Sequence, residues 1–157
     1  MSALVTTRVN DIETEDCAAL SFRMKNGALA TSSITLGASD DSSRIRLCFE
    51  GFTAESGTEP YAPARDGWTF TARDPRLQSE IDEVLAGVKP GLSSYCGYFE
   101  AIADALEGHP GREVTLEDGR RSIELVSAIY LSARSEKCVA LPLDPSTQLY
   151  ASLAPEL

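Results

Sequence analysis

Three residues in a short polar run have side chains of the types that bind a small hydroxylated molecule. Asp41, Ser43 and Arg44 bring a carboxylate, a hydroxyl and a guanidinium together at the entrance to a predicted strand. These groups can accept hydrogen bonds from the hydroxyl groups of a polyol and donate hydrogen bonds to them. The same residue types are also common in exposed loops that bind nothing. The run therefore has two open interpretations, a polyol contact or a solvated loop.

A second polar run lies at the start of a predicted helix, where residues 118–121 read Asp-Gly-Arg-Arg. Free N–H groups at the N-terminus of a helix attract anions, so this run could bind a phosphate group. The first turn of an ordinary helix with solvated arginines has the same composition and is far more common. We therefore interpret the run as a helix start.

The sequence contains none of the motifs that let a chain catalyse a reaction by itself. It has no Gly-rich dinucleotide motif, P-loop, nucleophile elbow or Cys-x-x-Cys pair. His109 is the single histidine, so it has no second histidine with which to bind a metal and no plausible partner for catalysis. We therefore predict no catalytic, cofactor-binding or metal-binding residue in this chain. The scattered cysteines are expected to be buried free thiols: Cys17, Cys48, Cys96 and Cys138.

Length and composition predict a single domain over residues 1–157, because 43% of the residues are hydrophobic and can form one core. The net charge of −10 argues against duplex nucleic acid and anionic membrane surfaces as partners, since both bind cationic surfaces. The sequence shows no signal peptide and no apolar run of about 18 residues. We therefore expect a cytoplasmic protein.

The first half of the chain has the alternating pattern of β-strands. Apolar and polar residues alternate on both sides of Asn26-Gly27 over residues 17–36, which predicts a hairpin with a type I′ turn. Residues 51–67 are rich in Gly, Pro, Glu and Thr, so we expect a surface connection there. Further strands are predicted over residues 3–9, 44–50 and 68–72.

Helical spacing of apolar residues dominates the second half. Helices are predicted over residues 77–88 and 95–107, and a longer helix follows from Thr115, whose hydroxyl can cap it. This last helix is apolar around most of its circumference, so we expect it to be largely buried. A final strand is predicted over residues 138–143.

Strands followed by helices predict an α+β fold, with helices packed on one face of an open, mostly antiparallel sheet. We expect residues 44–50 to join the sheet of the hairpin. The other sheet face then stays uncovered, and alternation places small residues on it: Ala19, Ser21, Ala28 and Ala30. Small side chains allow a second sheet to approach, so we expect this face to pair with a second copy of the chain.

Several of these segments resemble one known family. Residues 12–30 resemble the opening hairpin of the C-terminal domain of the Gfo/Idh/MocA oxidoreductases, the family of glucose–fructose oxidoreductase and inositol dehydrogenase. The closing half of that domain is similar to this chain in the same order along the sequence. The matching segments there are residues 98–102, 108–110, 114–120, 128–133 and 139–142.

The resemblance implies an N-terminal Rossmann domain that binds NAD or NADP and carries the catalytic lysine and histidine, none of which is in this chain. It implies that these residues form the substrate-binding and oligomerisation domain of a sugar or polyol oxidoreductase, and that they are inactive alone. It also implies that Asp41, Ser43 and Arg44 belong to the substrate pocket. The alternative is a stand-alone interaction or scaffold module derived from that domain.

Overall fold

The computed structural model describes residues 1–65, 67–89, 91–92 and 94–147. These residues belong to two compact units. The first unit combines Met1–Ala38 with the chain from Val114 onward, and the second unit is Ser39–Glu113. Antiparallel sheets and α-helices make up both units, so the predicted α+β fold class is confirmed.

The first unit contains a three-stranded antiparallel sheet. Its strands are β1 (Ser2–Thr6), β2 (Cys17–Arg23) and β3 (Leu29–Thr35), in the order β1-β2-β3. β2 and β3 form the predicted hairpin, and their alternating pattern allows one face to be buried while the other stays exposed.

The loop of this hairpin differs from the predicted two-residue turn. The Met24 N–H donates to the Ala28 carbonyl at 2.8 Å, and the Gly27 N–H donates to the Met24 carbonyl at 3.0 Å, which encloses a three-residue loop. Within it only Gly27 has a positive φ, 89°, whereas a type I′ turn needs positive φ at both central residues. Asn26 instead accepts the Ala28 N–H on Oδ1 at 3.1 Å. The prediction of a type I′ turn was therefore wrong.

The longer loop changes which residues share a face of the first sheet. Directly paired residues lie on the same face, and Ala30 pairs with Phe22 while Thr31 pairs with Ser21. Ala30 is therefore on the side of Phe22, and so by alternation is Ala28, whose carbonyl accepts the Met24 N–H. The prediction that Ala28 and Ala30 face outward with Ser21 was wrong. One extra loop residue shifts the pairing by one position and exchanges the faces. We call the outward side the open face: Leu4, Ala19, Ser21, Arg23, Leu29, Thr31 and Ser33.

The second unit has its own three-stranded antiparallel sheet. Its strands are β4 (Arg46–Cys48), β5 (Phe52–Glu55) and β6 (Thr69–Ala72), in the order β4-β5-β6. The prediction that 44–50 extends the hairpin's sheet was wrong, as was the surface connection predicted at Phe52–Glu55. β4 pairs with β5 through a tight turn in which the Phe49 N–H donates to the Phe52 carbonyl at 2.9 Å. Pairing with a segment so near in the sequence closes a short loop, which costs less conformational entropy than pairing with the distant hairpin would.

The predicted helices are confirmed among the described residues. α1 (Gln78–Ala86) and α2 (Ser94–Leu106) lie in the second unit, and α3 (Leu116–Ser135) lies in the first. Thr115 caps α3 as predicted: its Oγ1 accepts the Asp118 N–H at 3.2 Å, and its own N–H donates to Asp118 Oδ2 at 2.9 Å. This reciprocal capping box satisfies N–H groups that the first turn of a helix leaves unpaired.

α3 is buried only in its second half, so the prediction of a largely buried helix was wrong for its beginning. Leu116 is 96% exposed, whereas Ala128 and Ser132 are fully buried. Ser132 Oγ accepts the Ala3 N–H at 3.0 Å, which ties α3 to β1. Small residues let the backbone of the helix approach the sheet at this place, and the larger apolar residues of the first turns lie beyond it.

The final segment pairs with Met1 at one residue but does not form the strand predicted over residues 138–143. Val139 exchanges backbone hydrogen bonds with Met1, at 2.8 Å and 2.6 Å. Further along, the Leu143 N–H donates to Glu124 Oε1 on α3 at 2.8 Å, and Leu143 is buried. Exchange of both hydrogen bonds between the same two residues is an antiparallel pairing, so β1 runs away from residues 140–143 and Leu143 packs against α3 instead.

Candidate substrate-binding site

The predicted site residues lie in a stretch of the second unit that we call the polar loop, residues 39–45, which leads into β4. The structure fixes the end of this loop. The Ser43 N–H donates to the Thr58 carbonyl at 3.3 Å, and Ser43 Oγ accepts the Tyr61 N–H at 3.1 Å. The Ile45 N–H donates to Ser56 Oγ at 2.9 Å. The polar loop is therefore held against residues 56–61.

Ser43 and Tyr61 form a small anchoring unit within this arrangement. Tyr61 has φ 60°, a conformation that bulky residues rarely adopt, and the hydrogen bond to Ser43 Oγ helps to hold it. Ser43 was predicted to contact substrate, but its oxygen already accepts this backbone hydrogen bond. Its hydroxyl hydrogen remains able to donate to a ligand.

Two arginines share one carboxylate at the entrance to β4. Arg44 Nη1 lies 3.2 Å from Glu55 Oε1, and Arg46 Nε lies 3.6 Å from Glu55 Oε2. The sequence analysis singled out Arg44 and missed Arg46. The signal for Arg46 was its position two residues after Arg44 in an alternating strand, which puts both arginines within reach of a carboxylate on the paired strand.

Asp41 differs from its predicted partners because it is exposed and its carboxylate makes no hydrogen bond or ion pair with the residues that the structure describes. Both of its oxygens can therefore accept hydrogen bonds from a ligand. The three predicted site residues thus lie on one short loop, with Ser43 anchored, Arg44 paired and Asp41 unengaged. Together they form an exposed polar surface rather than an enclosed pocket.

The first unit contains an apolar cavity of about 240 Å³ between α3 and the sheet, lined by residues that include Leu20, Ile34 and Ile129. Tyr130 closes part of it and donates its hydroxyl to the Glu15 carboxylate. This hydrogen bond and partial burial raise the pKa of Tyr130 above its ordinary value, so the phenol stays protonated.

Asp16 is the most buried carboxylate among the described residues, with 2% of its surface exposed. It accepts backbone N–H groups from Asn10 at 2.7 Å, Arg8 at 2.8 Å and Val9 at 2.8 Å. These hydrogen bonds, that of Asn10 first, hold the pKa of Asp16 far below its usual range. Asp16 is therefore charged at neutral pH and fixes the loop after β1, and it is not suited to act as a catalytic base.

The cysteines are less buried than predicted. Cys17 is half-buried on the first sheet, and the other three are exposed, so the expectation of buried thiols was wrong. Within the described ranges, no group of three or more His, Cys, Asp or Glu residues is placed to hold a metal ion. No helix in the part of the chain that the structure describes is long and apolar enough to cross a membrane.

Comparison with known proteins decides the family of this chain. Residues 2–141 match the family model of the C-terminal alpha/beta domain of the Gfo/Idh/MocA oxidoreductases. The chain belongs to this family. It represents the C-terminal domain of a Gfo/Idh/MocA oxidoreductase, as its segments 12–30 and 114–120 indicated. A comparison with curated proteins gives no match.

Two solved structures share the fold of this Gfo/Idh/MocA domain. One is the WlbA dehydrogenase from Bordetella pertussis in complex with NADH and UDP-GlcNAcA, with a TM-score of 0.66 and 23% identity. The other is the WlbA dehydrogenase from Chromobacterium violaceum in complex with the same two molecules, with a TM-score of 0.63 and 23% identity. In both cases the match covers 91% of this chain and 40% of the WlbA chain.

Proposed function

We propose that this chain is the substrate-binding and oligomerisation domain of an NAD(P)-dependent sugar or polyol oxidoreductase. The observation that carries the proposal is the match of residues 2–141 to the C-terminal domain of an oxidoreductase family. In this proposal a Rossmann domain of the same protein binds the nicotinamide cofactor and performs hydride transfer. This domain supplies one wall of the substrate cleft.

Two features of the structure support this division of work. The polar loop offers Asp41 and the Ser43 hydroxyl as groups that can bind sugar hydroxyls, yet it encloses no ligand by itself. A polyol is bound specifically only when most of its surface is enclosed, so a second wall must come from elsewhere. The WlbA dehydrogenases, which share the fold, were solved with a nicotinamide cofactor and a nucleotide sugar.

The oligomerisation role rests on the open face of the first sheet. Leu4 and Leu29 lie on this face and are 72% and 74% exposed. Small residues such as Ala19 and Ser33 lie on the same face in the middle of β2 and β3. Arg23 is the only charged residue that the strand pairing places on this face. A second copy related by a two-fold axis would bury these apolar side chains against its own.

The substrate role predicts a specific kinetic effect in the enzyme that joins this domain to its Rossmann domain. Replacing Asp41 with Ala should lower kcat/KM for the sugar by about tenfold or more, because a charged acceptor of a substrate hydroxyl is lost. Asp40→Ala is the matched control, since it removes a neighbouring carboxylate of the same loop. Equal kinetics of both variants and the unmodified enzyme across a panel of sugars would remove Asp41 from the site.

A further inference from the structure

The two arginines at the entrance to β4 carry more positive charge than their carboxylate neutralises. Glu55 is the shared partner of Arg44 and Arg46, at 3.2 Å and 3.6 Å. One carboxylate balances one guanidinium, so this triad keeps about one unit of positive charge. In a chain with a net charge of −10, such a locally cationic group is unusual.

Most donors of this triad remain available to a ligand. Arg46 lies within ion-pair distance of Glu55 but donates no hydrogen bond to any described side chain or carbonyl, and Arg44 uses one N–H of its five. The arginine side chains are 64% and 62% exposed. Exposed ion pairs contribute little to stability, so turning a guanidinium toward an incoming anion is easy.

The sheet beside the triad is polar on the same side. Strand pairing places Thr69 opposite Glu55, which itself lies opposite Arg46, so the three share one face. Thr53 and Thr71 form the next pair along that face. Hydroxyl groups next to guanidinium groups are the donors that bind carboxylate and phosphate oxygens.

We propose that Arg46, together with Arg44, binds an oxyanion on the sugar, either the carboxylate of a sugar acid or the phosphate of a phosphorylated or nucleotide-linked sugar. This inference rests on the proposed function and narrows its substrate class to anionic sugars. The forked guanidinium group suits such oxygens better than any other side chain. Asp41 lies on the polar loop before the triad and repels free anions, so the ligand must also offer a hydroxyl group that donates a hydrogen bond to its carboxylate.

Titration of the ¹⁵N-labelled 157-residue chain, followed by NMR at low salt, tests this inference with three probes: D-glucuronate, D-glucose 6-phosphate and neutral D-glucose. We expect millimolar glucuronate or glucose 6-phosphate to shift the amide signals of residues 44–55, and glucose to shift them much less. Arg46→Gln should weaken anion binding by about tenfold, while Arg73→Gln, an exposed arginine of the same unit, should not change it. The two anionic probes distinguish a carboxylate site from a phosphate site.

Three results would overturn the anion site: equal shifts with glucose and glucuronate, no shifts with either anion at millimolar concentration, or anion binding unchanged by Arg46→Gln. The amide spectrum of each variant reports whether it is folded, so loss of structure is recognised directly. Equal binding of glucose would refute the anion site while supporting a sugar-binding domain. Failure of the proposed function would instead appear as unchanged kinetics of the Asp41→Ala enzyme.

Discussion

Replacing Thr31 with Glu is expected to leave the chain monomeric under conditions in which the unmodified chain is a dimer. Thr31 lies on the open face, opposite Ser21 in the pairing of β2 with β3. Packed sheets lie about 10 Å apart, so a glutamate at this position would be buried against the partner sheet. A two-fold axis would bring in a second copy of that charge, and burying both without a partner is strongly unfavourable.

The open face has the composition for such an interface, because Leu4 and Leu29 are exposed and Arg23 is its only charge. About 800 Å² per subunit is enough for a stable association. The net charge of −10 opposes association by general repulsion, so the dimer should be strengthened by added salt.

Light scattering coupled to size exclusion at micromolar concentration measures this directly. The unmodified chain should show twice the 16.9 kDa mass of one copy, and Thr31→Glu should show that mass once. Ala28→Glu is the matched control, because Ala28 is exposed at the hairpin loop and alternation places it on the opposite side to Thr31. A mass of one copy for the unmodified chain, or a dimer of Thr31→Glu, would contradict the proposed interface.

Replacing Asp16 with Asn is expected to lower the melting temperature of the first unit by about 5–10 °C at neutral pH. The carboxylate accepts the N–H groups of Asn10, Arg8 and Val9 and is almost completely buried. An asparagine offers one acceptor oxygen and brings an NH₂ group against these donors. At least one of the three backbone N–H groups would then be left buried without a partner.

The effect should depend on pH with a definite sign. Because the folded-state pKa of Asp16 is depressed, its contribution to stability is complete above the unfolded-state value of about 3.9 and is lost as the pH falls toward the folded-state value. The difference in melting temperature between Asp16→Asn and the unmodified chain should therefore be largest near pH 7 and shrink at about pH 3. Circular dichroism melting curves at both pH values measure it.

Asp11→Asn is the control for this experiment, since Asp11 is exposed in the same connection between β1 and β2. The melting temperature of Asp11→Asn should equal that of the unmodified chain at both pH values. A melting temperature of Asp16→Asn equal to that of Asp11→Asn at neutral pH would show that the buried carboxylate does not organise the loop.

Local patterns in the sequence were enough to locate most of the elements. The Asn26-Gly27 pair marked the hairpin, and Thr115 marked the start of α3, because turn and cap preferences act over a few residues. The face of each β3 residue was not predictable in the same way. It depends on whether the hairpin loop has two residues or three. One additional loop residue shifts the register by one position and moves every β3 side chain to the other face of the sheet.

Longer-range features were less predictable for a related reason. Phe52–Glu55 forms a strand because β4 and β6 lie on either side of it, and its Gly-rich surroundings gave no alternating pattern long enough to show this. The exposure of Leu116 depends on where α3 crosses the sheet, which the apolar content of a helix does not determine.

The candidate site was predictable in place but only partly in role. The polar residues of 41–44 do lie together before β4, as a run of neighbouring residues must. The anchoring of Ser43 by Tyr61 and the sharing of Glu55 by two arginines join residues 9 to 18 positions apart. Such contacts arise from strand pairing and loop packing, which a single sequence does not display.

Calorimetric titration with NADH tests the central claim most directly, that this domain shapes the substrate cleft and leaves the cofactor to a Rossmann domain. The 157-residue chain alone should give no heat of binding with NADH or NADPH, because its sequence has no Gly-rich turn between a parallel strand and a helix. The same domain joined to the Rossmann domain of its protein should bind one of the two cofactors with a micromolar dissociation constant. A micromolar dissociation constant for the 157-residue chain alone would contradict the account.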